Sequence, residues 1–246
     1  MKLRSAVHNV QSLAQADRDR LFRLMEQSYA NKQRDCFNTD LDAKQWVILV
    51  RRPDDDRIVG FSTQTLLEAC VGGNQICALY SGDTVVDRSD WGDPALAHAW
   101  GNFALVLMDQ HPIERGPLYW FLTSKGFRTY HYLPLFFRHF FPCPDMETPG
   151  LEQSIIDVLG KLVGRERYDA EHGIIRTDGH SDFVRPEIAD LGARRKNDKH
   201  VCFFAERNPS FAQGDELCCL APLSRENFTP AAYRVIGLQR VPAPAM

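Results

Sequence analysis

Between Ile76 and Met108 the chain runs from a β-branched stretch through a turn-forming one into a helical repeat. The first part, ICALYSGDTVVD, is apolar and suited to a strand. The second, RSDWGDP, supplies Ser89, Asp90, Gly92, Asp93 and Pro94, all turn or cap formers. In the third, Leu96, Ala99, Trp100, Phe103, Val106 and Leu107 recur at helical spacing. Asp93 is suited to the N-cap and Pro94 to the first helical position, so the helix start is well marked. A strand that passes through a short loop into a helix exposes backbone N–H groups at the positive end of the helix dipole. Such an end suits a phosphate.

The flanking segments extend this to a mixed α/β order. Gln15 to Tyr29 places Leu21, Phe22, Leu24, Met25 and Tyr29 on one helical face. Asn31 to Lys44 reads as a loop with a short helical piece. Trp46 to Arg51 and Ile58 to Leu67, joined by Pro53-Asp54-Asp55-Asp56, form an antiparallel hairpin. After the helix at 94–109 come a strand over Pro117–Thr123 and an aromatic helix over Phe127–Pro142. A further amphipathic helix covers Leu151–Val163, and Arg165 to Asp198 is polar and left unassigned. Val201–Ala205 and Leu217–Leu220 read as two late strands. With no repeat and no low-complexity linker, 1–246 is expected to be one domain. In it 143–198 is an insertion or extension over the aromatic helix, and 199–222 completes the sheet.

Composition narrows the function classes. Lys and Arg total 29 against 32 Asp and Glu, a net charge of −3, which gives no basic excess for nucleic acid. No apolar run is long enough to span a bilayer, and the first residues lack the apolar core of a signal peptide. The seven cysteines form no CxxC pair and no zinc pattern. Buried reduced thiols in a cytoplasmic protein are expected. The histidines are too scattered for a metal site, and Asp178-Gly-His180-Ser-Asp182 is a ligand set of a kind polar loops often supply.

This order of elements resembles the GCN5-related N-acetyltransferase (GNAT) superfamily, over roughly Gln15 to Pro134. The residues carrying the resemblance are Gly60-Phe61 and Gly82-Asp83-Thr84-Val85-Val86 through Gly92. The resemblance implies an α/β fold with a mixed sheet and a V-shaped cleft. It also implies acyl transfer from acyl-coenzyme A, acetyl-coenzyme A or an acyl carrier protein to an amine, with no metal. The family's pyrophosphate loop, Q/R-x-x-G-x-G/A, falls on Ser89-Asp90-Trp91-Gly92-Asp93-Pro94, where only Gly92 matches. Pro94 removes an amide, and Asp90 and Asp93 bring carboxylates near the phosphate position, with Arg88 as an offsetting charge. Such a weakened loop fits the single phosphate of a carrier protein's pantetheine arm better than coenzyme A.

By the same resemblance Val85, Val86, Arg88, Ser89 and Gly92 would hold the donor. Gly82 could permit a strand bulge. Asp83 is the candidate base, ahead of Glu68 near the end of the neighbouring strand, and Tyr130 the candidate acid for the leaving thiolate, with His131 and Tyr132 as alternatives. The aromatic residues Phe136, Phe137, Phe140 and Phe141, with Leu135, read first as core and second as the lining of an acyl pocket. Alternation puts Cys218 and Cys219 on opposite faces. The rival to an enzyme is a non-catalytic binding protein on the same fold, in which Asp83 and Tyr130 would face the core.

Overall fold

The computed structural model describes residues 2–179, 182–189 and 197–237. Its strands are β1 (Arg4–Asn9), β2 (Tyr29–Ala30), β3 (Trp46–Arg51), β4 (Ile58–Val71), β5 (Asn74–Val86), β6 (Leu118–Ser124), β7 (Tyr168–Asp169), β8 (Ile174–Ile175), β9 (Phe183–Val184) and β10 (Glu216–Pro222). The helices are α1 (Gln15–Ser28), α2 (Arg34–Asp42), α3 (Ala95–Gln110), α4 (Phe127–Tyr130), α5 (Tyr132–Phe136), α6 (Gly150–Gly164), α7 (Pro186–Ala189), α8 (Lys199–Arg207) and α9 (Pro230–Ile236). Among these residues one mixed sheet runs in the order β1-β3-β4-β5-β6-β10-β8-β7. β2 and β9 form a separate two-stranded pair.

All neighbours in the large sheet are antiparallel except β5 and β6. That parallel ladder joins Cys77–Ser81 to Leu118–Leu122 and goes no further. Beyond it β5 continues along β4 to Val86, while β6 keeps only its antiparallel partner β10. The two strands therefore part at their C-terminal ends, as the V-shaped cleft requires. At the point of parting β5 carries one extra residue, because Ser62 pairs with Thr84 while Gln64 pairs with Ser81. This is the bulge expected at Gly82. A Cβ there would lie 2.8 Å from Thr63 Oγ1 and 2.9 Å from Lys44 Cε, so glycine lets the strand pass Lys44.

Apolar side chains cover both faces of the sheet. On one face Leu79, Trp120 and Cys219 pack with Trp100 of α3, Phe136 of α5, Phe204 of α8 and Ile236 of α9. On the other, Phe61 and Val85 pack with Leu21 of α1 and Phe37 of α2, and Phe121 and Cys218 pack with Ile155 and Leu159 of α6. Cys218 and Cys219 thus take opposite faces as alternation requires. Four cysteines are buried, but Cys36, Cys70 and Cys202 are exposed, against the expectation of uniformly buried thiols.

Three sequence expectations are corrected. Val201–Ala205 is helical, within α8: Asp198 caps it by accepting the amides of His200 and Val201, and Val201 and Phe204 share its buried face. β10 is therefore the one strand in 199–222, and β8 and β7 supply that edge instead. The aromatic stretch is two short helices followed by extended chain, in which Phe137 and Phe141 bridge to Phe228 and Leu220. What covers it is α8 and α9, since α6 of the 143–198 segment lies on the opposite face. Between Asn31 and Lys44 the chain forms a full helix, α2, rather than a loop with a helical piece. Among the described residues no helix is long and apolar enough to cross a membrane.

Candidate functional site

Where β5 and β6 separate, three cavities meet. A lobe of about 280 Å³, termed donor-side because the resemblance would put the donor there, lies between Thr84–Val86 of β5, the loop Asp90–Asp93 and the Gly126–Thr129 turn. A small apolar lobe of about 40 Å³ runs inward among Leu96, Trp100, Trp120, Leu122 and Phe136. A polar lobe of about 180 Å³ opens on the other side, with Lys32, Asp83, Lys125 and Glu216 in its wall. Thr84 and Thr129 line all three, so the lobes share a junction at the bulge.

A chain of hydrogen bonds fixes that junction. Trp120 Nε1 donates to Ser81 Oγ (2.9 Å), Ser81 Oγ to Gln64 Oε1 (2.6 Å) and Gln64 Nε2 to Ser62 Oγ (2.7 Å). Ser62 Oγ shares a hydrogen with Thr84 Oγ1 at 2.7 Å. Ser62, Gln64 and Ser81 are buried, and each finds its partner across neighbouring strands. Behind the apolar lobe the rings of Trp100, Trp120 and Phe137 pack against one another at centroid distances of 4.6 to 6.2 Å and fill the interior. The aromatic segment is core there, and it leaves only the small apolar lobe.

The loop before α3 is held from several sides. Trp91 Nε1 donates to Val86 O at 2.9 Å, and Arg128 lies 4.0 Å over the Trp91 ring. Arg88 also faces that ring, at 5.7 Å. Asp90 is paired with Arg52 Nη2 at 2.7 Å, which removes much of the negative charge the sequence placed there. Asp93 accepts the Ala95 amide at 2.8 Å and the Leu3 amide at 3.3 Å, so it does occupy one helix amide. The amides of Gly92 and Leu96 have no partner among the described residues, and both residues line the donor-side lobe. Gly92 adopts φ +96°, a conformation that favours glycine.

The expected site residues divide. Val85, Val86 and Gly92 line the donor-side lobe, Val85 through its main chain because its side chain packs with Phe61 and Leu21 on the other face. Arg88 and Ser89 are not in the cavity wall; Ser89 Oγ accepts from Arg52 on the outside of the loop. Asp83 lines the polar lobe. Tyr130 does not reach any of the lobes: it is fully buried, and its hydroxyl donates to Pro142 O at 3.1 Å. The acid role expected for Tyr130 is corrected on that ground, since a turn of helix that points into the core cannot also point at the cleft. Tyr132, one of the alternatives, lines both the donor-side and the apolar lobes. Burial pushes its hydroxyl pKa up, which keeps the proton on it.

Sequence reasoning missed the ionic cluster around Asp83. Lys32 Nζ lies 3.3 Å from Asp83 Oδ2 and 2.8 Å from Asp182 Oδ2. Lys125 binds Asp182 Oδ1 and lies 3.5 Å from Glu216. Burial raises the pKa of Asp83, against the opposing pull of Lys32. Burial also pushes Asp182 up, but Lys125 and Lys32 together outweigh it and hold Asp182 low. The segment bearing Asp182 is tied down by the β2–β9 pair and by Arg185, which donates to Glu26 O. Val184 and Ile188 of this strap complete the donor-side wall. The strap lies far along the chain in a polar stretch, where no periodicity could announce it. Of the Asp178–Asp182 set, His180 and Ser181 lie outside the described residues; among those described no group of three or more His, Cys, Asp or Glu could hold a metal.

Helix, antiparallel hairpin, third strand, glycine-bearing loop, helix and parallel strand succeed one another around a parted strand pair. That order of elements is the one by which the sequence resembles the GNAT superfamily. No family model and no curated protein matches the chain. Among solved structures it is similar to a probable N-acyltransferase from Enterococcus faecalis, with 12% identity over 55% of this chain and 33% of that one, and a TM-score of 0.42. The match therefore spans a third of that protein's length. It is also similar to a GNAT family N-acetyltransferase from Escherichia coli in complex with coenzyme A, with 12% identity over 54% and 69% of the two chains and a TM-score of 0.38. A third is an aminoglycoside acetyltransferase from an uncultured soil metagenomic sample, with 15% identity over 52% and 82% and a TM-score of 0.37.

Proposed function

We propose that this chain is an N-acyltransferase that moves a short acyl group from coenzyme A to an amine. The observation that carries the reading is the meeting of three chemically different lobes at one strand bulge. The donor's phosphates lie against the Gly92 and Leu96 amides, with Arg128 in the same wall. Its pantetheine arm follows the main chain of Val85 and Val86, and the acyl group enters the apolar lobe. At about 40 Å³ that lobe suits acetyl and has no room for a long chain.

Asp83, on the polar side of the bulge, takes a proton from the acceptor's ammonium group. The neutral nitrogen attacks the thioester carbon, the C–S bond breaks as the amide forms, and the leaving thiolate receives a proton from the Tyr132 hydroxyl. The nitrogen's second surplus proton, lost through solvent, is balanced by the one that restores the tyrosine. Burial suits both groups, because it makes Asp83 a stronger base than an ordinary carboxylate and keeps Tyr132 protonated. The burial of Tyr130 is the observation on the side of the rival, a binding protein without catalysis.

Free-thiol release from acetyl-coenzyme A and from palmitoyl-coenzyme A, measured over a panel of amines, separates the readings. Amine-dependent release from acetyl-coenzyme A at a rate at least about tenfold above that from palmitoyl-coenzyme A is expected. Donor binding with no amine-dependent release under any acceptor would favour the non-catalytic protein.

A further inference from the structure

The hydrogen-bonded line of Trp120, Ser81, Gln64, Ser62 and Thr84 has a direction, and its donor-only end fixes it. An indole N–H can only donate, so Ser81 Oγ accepts from Trp120 and still has its own proton to place. Ser81 is buried, and among the described residues that proton has one acceptor, Gln64 Oε1. The opposite orientation of the Gln64 amide would leave it with none. Gln64 therefore turns Nε2 to Ser62. Ser62 is buried too, and its proton has only Thr84 Oγ1 to meet among the described residues, at 2.7 Å. Thr84 is the member whose proton is loosely held: its acceptor is Gly82 O, at 3.3 Å across the bulge, longer than an ordinary O–H···O bond. Bonds that run in one sense polarise one another, which strengthens this last O–H as a donor.

We propose that the Thr84 hydroxyl donates a hydrogen bond to the thioester carbonyl oxygen and stabilises the negative charge that gathers there as the amine attacks. The inference rests on the acyl-transfer reading. With the acyl group in the apolar lobe and pantetheine along Val85 and Val86, the carbonyl lies beside Thr84, which precedes Val85 and lines all three lobes. Ser62 and Ser81 line the apolar lobe as well, but their protons are committed within the line. The wall around them is largely apolar, with Leu96, Trp100, Leu122 and Phe136, and a fixed donor counts for most where water is scarce. No proton leaves Thr84. Charge forms on the carbonyl oxygen as the C–N bond forms and returns to the carbonyl as the C–S bond breaks, so the bond is strongest in the transition state.

Steady-state acetyl transfer by the full chain, with calorimetric titration of coenzyme A alongside, tests the assignment. Thr84→Val keeps the shape and removes the hydroxyl. It is expected to lower kcat about a hundredfold while the KM for acetyl-coenzyme A stays within about threefold of wild type. Coenzyme A, which has no carbonyl to accept the bond, should bind that variant and the wild type alike. Thr84→Ser is expected to recover most of the rate. Ser62→Ala leaves Thr84 in place and removes the donor behind it, and should lower kcat by about three- to tenfold. Thr129→Val takes a hydroxyl from the same junction but none from the line, and should cost less than Thr84→Val. A Thr84→Val protein that binds coenzyme A and transfers acetyl at the wild-type rate would overturn the inference and leave the transferase reading standing. So would an equal loss in Thr129→Val, or, should Thr84→Val fail to fold, an undiminished kcat in Ser62→Ala. Absence of amine-dependent thiol release by the wild type would instead remove the transferase reading, and this inference with it.

Discussion

Replacing Asp83 by asparagine is expected to slow acyl transfer at least about a hundredfold while leaving the folded chain no less stable at pH 7. Asparagine keeps the shape of the side chain and removes the base. The stability half of the expectation follows from sign. Burial raises the carboxyl pKa in the fold against the pull of Lys32, so ionising Asp83 costs the folded state more than the unfolded one. That cost is absent at low pH and grows as pH rises from the ordinary carboxylate value to the raised one. The substitution removes it, and Lys32 keeps Asp182 at 2.8 Å. Transfer kinetics and urea unfolding on the same preparations check both halves. In the wild type the rate should climb with pH at a higher pH than an ordinary carboxylate would give. A variant that unfolds more easily with its rate intact would make Asp83 a structural ion-pair partner.

Asp182→Asn should behave in the opposite way. Asp182 is 10% exposed and is shared by Lys32 and Lys125, so its loss leaves two nearly buried ammonium groups each with a weaker partner. Breaking a buried pair of this kind costs about 3–5 kcal/mol; we place this one at about 3 kcal/mol at pH 7, because Asp83 and Glu216 remain. Here the folded pKa is depressed: burial pushes it up, and the two lysines outweigh burial. The stabilisation is therefore complete above the ordinary carboxylate range and is lost as pH falls through and below it. Urea midpoints at pH 7 and about pH 3 should show a large gap between wild type and variant that narrows on acidification. A gap of the same size at both would mean that the strap is held by packing and by the Arg185 bonds, without the ion pairs.

The contrast between these two carboxylates shows where the sequence was readable. The hairpin of Trp46–Arg51 with Ile58 onward and the Gly82 bulge follow from local rules of periodicity and turn chemistry and stand in the structure. α3 starts one residue later than expected, with Pro94 at its N-cap and Asp93 accepting the Ala95 amide. β1 escaped notice because an edge strand with mostly exposed side chains carries no alternation. Val201–Ala205 is too short an apolar run for composition to separate strand from helix; its Asp198 cap and the Val201–Phe204 spacing were the usable signals. Asp83 and Gly92 were found because they lie in the strand–loop–helix stretch itself. Lys32, Lys125 and Asp182 were not brought together, because their meeting depends on the β2–α2 connection, the end of β6 and a distant polar strap closing round one point. Arg128 carries no local signal in its aromatic run, since its stacking on Trp91 is a tertiary fact.

The central claim is that the loop before α3 still receives coenzyme A despite its acidic residues. Titration of the wild type with coenzyme A, alongside Arg128→Glu, tests it most directly. The wild type is predicted to bind with a dissociation constant below about 1 mM, more tightly at low salt, and the charge reversal to weaken binding at least about tenfold. No binding by the wild type at millimolar coenzyme A would contradict the account, and equal binding by the two proteins would remove Arg128 and this loop from it.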